Sequence, residues 1–412
     1  MSELTAKAVY RIPRLSGIRV FFLYAFVFSF PFDNWQALYL IEGITLNKLI
    51  GLIYYSLVVI SLKSLYSFSK RDFLVLPLVV LWFVIVFAGF FSHIIHGYDI
   101  DYLITYLTLV FVFYAISKEI SMNPSVRKGV FVSFIYSMLS VFILLQLGLG
   151  IQSGADSEMM DSAESLRRIW FFGLNPNSLG NYSVFAILFC LFQVFEPGNR
   201  NRKNYIYLLF IIPFIFLLGL SGSAGAFIML FVSVFSYFLL VKGSLLNKIK
   251  YLFLGLIASL FMFLYLRDFE YLIDKIDSFF STGNTSGRAD IWYSALKIIP
   301  DNLLLGLGKK GGELALEAVD GSHHTAHNVF LDVMLWGGLI GISLFLLFYT
   351  MIFIRSVKYR KITMDPSSIV IVIASLLIIV KAGGGFTIKS IWIFLACSTV
   401  IAQSQANKAS LR

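Results

Sequence analysis

Long apolar runs alternate with short polar loops along most of this 412-residue chain. Runs at 17–32, 48–62, 73–94, 102–117, 129–149, 169–195, 204–220, 222–241, 250–266, 328–354, 366–382 and 386–402 approach the ~20 residues that an α-helix needs to cross a bilayer. The pattern predicts an all-α polytopic membrane protein of about twelve transmembrane helices. Two runs nearly touch between Gly219 and Ala226. One stretch breaks the rhythm. At roughly 268–326 a long polar insertion separates two runs, and it ends in Ser322-His323-His324-Thr325-Ala326-His327-Asn328. A long loop beside a membrane is where chemistry tends to sit. No soluble domain, low-complexity tract or internal repeat stands out. Residues 1–412 read as a single membrane domain, with 268–326 as a loop within it.

Composition agrees with this reading. The chain is 58% hydrophobic and 14% charged, with a mean hydropathy of +0.82, which excludes an ordinary soluble domain. Lysine and arginine cluster in alternate loops, for example Lys7, Arg11, Arg14 and Arg19; Lys118, Arg127 and Lys128; Arg355, Lys358, Arg360 and Lys361. Most acidic residues fall in the other set. The positive-inside rule then predicts cytoplasmic termini and places 268–326 outside the cytoplasm. The net charge of +10 reports topology and gives no sign of nucleic-acid binding. The first apolar run has basic flanks and no small-residue cleavage site, so it reads as a span and not a signal peptide. Cys190 and Cys397, both in apolar runs, read as packing residues. The cytoplasmic loops are short and hold no glycine-rich phosphate loop. An activated substrate would therefore arrive within the membrane or from the outer side.

The outer-side polar residues are the candidates for chemistry. The segment from Thr285 to Pro300 predicts a short helix with Ile291, Trp292, Ala295, Leu296 and Ile299 as an apolar stripe. Thr285 or Ser286 would cap it, which puts Arg288 in the first turn, against the helix dipole. Free backbone N–H groups with a guanidinium suit a pyrophosphate. The plain alternative is an ion pair with Asp290 or another loop carboxylate. His327 stands where loop meets helix, beside Asn328. Its imidazole could accept a proton near neutral pH, or it could cap the helix start. His323 lies four residues before it, but a metal site wants further ligands at diagnostic spacing, so no metal is expected. Arg168 opens the run carrying Asn175-Pro176-Asn177, read as a break inside a span that lines a cavity. Headgroup snorkelling would equally explain Arg168. Lys381 and Lys389 flank Gly383-Gly384-Gly385; they either add positive potential to a site or anchor the interface.

Taken in order, several of these pieces resemble the O-antigen ligase and O-antigen (Wzy-type) polymerase superfamily. They are Gly-Leu-Asn-Pro-Asn-Ser-Leu-Gly at 173–180, Ser286-Gly287-Arg288 with Trp292, Gly306-Leu307-Gly308, His327-Asn328-Val329-Phe330-Leu331 and Gly337-Gly338-Leu339-Ile340-Gly341. The hydropathy profile is similar over the whole chain. The resemblance implies a GT-C-like, metal-independent and cofactor-free glycosyltransferase of the bacterial inner membrane. Its donor would be a glycan on undecaprenyl pyrophosphate at the periplasmic face, and its acceptor another glycan or lipid A-core. Membrane lipid and a chain-length regulator are the further partners implied. The family's loop arginine maps on Arg288, its loop histidine on His327, and an arginine near the sixth span on Arg168. One departure stands out: Ala224, in Ser221-Gly222-Ser223-Ala224, occupies the place where many members carry an arginine.

On this reading Arg288, assisted by Arg168, holds the donor pyrophosphate and His327 takes the acceptor proton. Asn177, Asn328, Lys381 and Lys389 complete the expected substrate site. A repeat-unit polymerase is the first expectation and an O-antigen ligase the second. A lipid-linked oligosaccharide flippase is the rival from another class, although broken helices at the midplane and pseudo-repeats are not evident in the sequence.

Overall fold

A computed structural model describes residues 14–35, 39–41, 44–61, 72–96, 100–152, 170–197, 202–241, 288–321, 325–380 and 388–399. Thirteen α-helices lie among the described residues: α1 (Arg14–Phe28), α2 (Leu46–Ile60), α3 (Leu76–His96), α4 (Ile100–Met122), α5 (Ser125–Gln146), α6 (Pro176–Val194), α7 (Ile206–Ser221), α8 (Ala224–Leu240), α9 (Arg288–Ile298), α10 (Gly308–Asp320), α11 (Val329–Thr363), α12 (Ser367–Ile379) and α13 (Lys389–Ser398). Two small antiparallel ribbons complete the described elements, β1 (Tyr39–Ile41) with β2 (Ile44–Thr45) and β3 (Ile151–Gln152) with β4 (Trp170–Phe171). Eleven of the twelve expected apolar runs coincide with a helix, while 250–266 lies outside the described residues. Among the described residues, six helices are long and apolar enough to cross a membrane, and five more are shorter and apolar. The chain is an all-α membrane protein.

Burial separates central helices from lipid-facing ones. In α6, 78% of the apolar window is buried, so this helix runs through the middle of the bundle. Phe189 of α6 stacks on Phe131 of α5 at 4.2 Å and meets Phe394 of α13 edge-on at 4.9 Å. The outer face of α3 is the opposite case: Phe83, Phe87, Phe90 and Phe91 are each more than half exposed. A patch of that kind is a liability in water and an ordinary surface in hydrocarbon.

Charged residues join helix ends. Arg19 of α1 and Glu119 of α4 form a fully buried ion pair. Arg127 of α5 reaches Asp365 at 3.1 Å and the Ser367 and Ser368 hydroxyls at the start of α12. Lys389 Nζ bonds Asp33 Oδ2 at 2.7 Å and Asn47 Oδ1 at 3.1 Å, joining α13 to the segment after α1 and to α2. Each of these contacts links segments that the charge pattern assigns to one and the same side.

Two expectations change. The run 169–195 was expected to contain a helix break at Asn175-Pro176-Asn177. Instead the helix begins there: the Asn175 side chain accepts the Asn177 N–H at 2.8 Å, and Pro176 occupies the first helical position. Asparagine caps and first-turn prolines are favoured because they answer or remove orphan N–H groups. Conversely, the run 328–354 was expected to be one continuous span. Helix α11 continues to Thr363 but is broken at Gly338, whose φ of 59° and ψ of −155° are not helical.

The loop ahead of α11 supplies what the break removes. Leu339 N–H donates to Leu303 O at 2.7 Å, Ile340 N–H to Leu304 O at 3.3 Å, and Leu335 O accepts the Leu307 N–H at 2.8 Å. In an unbroken helix Leu335 O would have taken the Leu339 N–H. Residues 303–307 therefore stand in for one missing turn, as membrane-embedded breaks require. Contact is backbone to backbone. A Cβ on Gly338 would lie 2.4 Å from Leu304 O, and one on Gly306 2.7 Å from the Gly337 and Gly338 nitrogens. Both glycines have positive φ. The Gly-Leu-Gly and Gly-Gly motifs are two halves of one joint.

Candidate functional site

Helix α9 begins with Arg288 and buries Ile291, Ser294, Ala295 and Ile298 against α10 and α11. Leu296, expected on the apolar stripe, instead faces out at 55% exposure, and Ile298 takes the inward position. The proposed caps Thr285 and Ser286 lie outside the described residues. Trp292, one turn beyond Arg288, is half-buried, and its indole N–H donates to the Ala326 carbonyl at 2.9 Å. That bond ties the arginine's helix to the residue preceding His327.

The segment around His327 is held at several points. Ala326 is fully buried, and its N–H donates to Asp332 Oδ1 at 2.8 Å. Both backbone polar groups of Ala326 are thus taken by side chains, one from α9 and one from the first turn of α11. His327, half-buried, has a φ of +50°. A side chain in this left-handed region is uncommon, and such outliers persist only where the surroundings hold them. Asn328 then caps α11, its Oδ1 accepting the Phe330 N–H at 3.0 Å. The side-chain cap at the start of α11 therefore comes from Asn328.

The candidate residues fall into two groups. Arg288 opens α9 and His327 and Asn328 lead into α11, and the two segments are linked through Trp292 and Ala326. Asn177 lies in the first turn of α6, and Lys389 belongs with a second polar cluster at the start of α13. There Asp33 receives Lys389 and, at 2.8 Å, the Thr45 hydroxyl, while Asn34 Nδ2 donates to Gly173 O at 3.1 Å just ahead of α6. Asp33 therefore offsets the charge of Lys389 locally. Arg168, Lys381 and His323 lie outside the described residues. Among the described residues, no group of three or more His, Cys, Asp or Glu is arranged to hold a metal ion. Cys190 and Cys397 are buried free thiols.

Helix α10 follows α9 and packs against α3, α9 and α11. Its Lys309 Nζ pairs with Glu313 at 2.9 Å and sits 4.6 Å from the centre of the Tyr102 ring. Tyr102 in turn packs edge-on against the buried Trp336, at 5.3 Å. Of the side chains with structural parts here, Asp332 and Lys309 are not among the sequence candidates, and Trp292 is expected only as part of an apolar stripe and a family motif. Asp332 carried the clearest signal, a carboxylate inside an apolar run, where ionisable residues are costly.

Residues 208–346 match the family model Wzy_C, described as O-Antigen ligase. These residues are an O-antigen ligase family domain. The match is consistent with the wider ligase and polymerase superfamily and implies glycosyltransferase-like activity. It starts inside α7 and ends inside α11, just past the Gly338 joint, so it encloses Arg288, Trp292, His327, Asn328 and Asp332. Arg168, Asn177, Lys381 and Lys389 lie outside the family domain. No curated protein matches the chain.

Proposed function

We propose that the chain is an inner-membrane glycosyltransferase working at the periplasmic face on a glycan carried by undecaprenyl pyrophosphate, most simply a repeat-unit polymerase. The observation that carries this reading is the His327 segment, pinned to the helix of Arg288 through Trp292 within an O-antigen ligase family domain. An acceptor sugar hydroxyl attacks the anomeric carbon of the donor. The new C–O bond forms as the bond to the pyrophosphate oxygen breaks, and the electron pair leaves with the polyprenyl pyrophosphate. His327 takes the hydroxyl proton. Arg288, assisted by Arg168, stabilises the leaving charge, a task that guanidinium performs without a metal. A single displacement inverts the anomeric centre. Asn328 and Asn177 are assigned to orienting the glycan, and Lys381 and Lys389 to adding positive potential around the substrate.

The family description favours a second reading, in which the same site transfers finished glycan to lipid A-core. Loss of the gene separates the two: single-repeat product on the core marks a polymerase, whereas bare core with accumulating lipid-linked polymer marks a ligase. The chemistry itself is tested with purified protein and lipid-linked repeat units. His327→Ala should reduce transfer to a small residual rate at normal protein level, and wild-type product from that variant rejects the general base. Arg288→Lys keeps the charge but loses the two-pronged donor, and should fall well below wild type.

A further inference from the structure

We propose that Trp292 and Asp332 are positioning residues that act through His327 by clamping the residue before it. The inference rests on the assignment of His327 as the base. Ala326 lends its carbonyl to the Trp292 indole N–H at 2.9 Å and its N–H to Asp332 Oδ1 at 2.8 Å. With both groups taken, the peptide on either side of Ala326 has little freedom to rotate. The next residue is His327, in the left-handed conformation. Backbone strain of this kind relaxes unless it is held. The restraint comes from two independent elements. Trp292 is on α9 with Arg288, and Asp332, 1% exposed, is in the first turn of α11. On the far side, the Asn328 side chain caps α11 through the Phe330 N–H and the Asn328 carbonyl receives the Asp332 N–H at 2.9 Å. Asp332 therefore holds the chain on both sides of His327, through its side chain before it and its backbone after it. Because Trp292 follows Arg288 by one helical turn, the same clamp ties the His327 backbone to the helix that carries Arg288.

The test uses full-length protein and lipid-linked repeat units. Trp292→Phe keeps the ring and deletes the donor. Asp332→Leu deletes the acceptor, whereas Asp332→Asn keeps an acceptor oxygen. Trp292→Phe and Asp332→Leu should each lower kcat about 10- to 100-fold, the range for a modest misplacement of a catalytic group, with KM for the donor little changed. Asp332→Asn should recover most of the rate. On a His327→Ala background, Trp292→Phe should have no further effect on residual turnover, since groups acting as a unit are not additive. Wild-type kcat in Trp292→Phe, or a loss that adds in full to that of His327→Ala, overturns the clamp and leaves the base assignment standing. Full activity of His327→Ala overturns both.

Discussion

Gly337 and Gly338 are neighbours with opposite requirements. A methyl group on Gly337 would meet Leu81, Val84 and Ile85 side chains at 3.6–3.7 Å, ordinary packing distances. On Gly338 it would meet the Leu304 carbonyl at 2.4 Å, in a backbone conformation that side chains rarely adopt. Gly337→Ala should therefore leave the thermal midpoint in detergent unchanged or slightly raised. Gly338→Ala should lower stability by at least about 1–3 kcal/mol and suppress glycan transfer, because the joint that seats the loop cannot close. Equal tolerance of both substitutions would contradict the docked-loop geometry. Sequence alone cannot rank this pair. Which glycine faces a side chain and which faces a backbone depends on where residues 303–307 come to rest. Lys389 makes a related point. Its charge is plain in the sequence, but the Asp33 carboxylate that balances it lies more than 350 positions away in the chain.

The elements are tied by polar contacts at their ends as much as by apolar faces. The Arg19–Glu119 pair joins α1 to α4 with both side chains buried. Breaking a buried pair strands a charge, whereas replacing both partners with apolar groups does not. Glu119→Leu alone should destabilise the protein by about 3–5 kcal/mol in a detergent unfolding assay, and Arg19→Met added to it should recover most of that loss. A double variant no better than the single would show that the pair is not the interaction that matters. Helix existence was largely legible, since a run of about 20 apolar residues leaves the backbone no alternative in lipid. Helix termini were less so. The start of α6 at Pro176 follows from Asn175 capping it, and an Asn-Pro-Asn sequence is compatible with either a cap or a break. Trp292 read as part of an apolar stripe, and its ring is half-buried accordingly. That its N–H reaches Ala326 depends on α9 and α11 meeting.

At the scale of the whole molecule, the charge pattern and the contacts can be tested together. Asp301 is exposed in the 268–326 loop and Lys361 is exposed near the end of α11, on opposite sides of the expected topology. Both native cysteines are fully buried, so they contribute little background labelling. In intact spheroplasts, a membrane-impermeant maleimide should label Asp301→Cys and should reach Lys361→Cys only after permeabilisation. The reverse pattern would place the family domain's loop in the cytosol, away from the proposed donor face. The family domain itself occupies the C-terminal part of the bundle, from α7 to the broken α11. Helices α3 and α4 support it from the N-terminal part: α3 packs against both α10 and α11, and Tyr102 of α4 meets Lys309 and Trp336.

Hydropathy by itself determined that this is a helical membrane protein, because bilayer thickness sets the length of an apolar run and hydrocarbon forbids unpaired backbone. Arg288 and His327 were candidates by their place on a long loop beside apolar helices, and it was the family resemblance that set them apart from an ion pair and a helix cap. Only the tertiary structure decided that a loop strand repairs the break in α11, that Asn328 caps α11, and that Ala326 is held between Trp292 and Asp332. These are hydrogen bonds and close approaches between distant segments. Their existence depends on angles and separations to within a few tenths of an ångström, which no one-dimensional pattern of apolar and polar residues encodes.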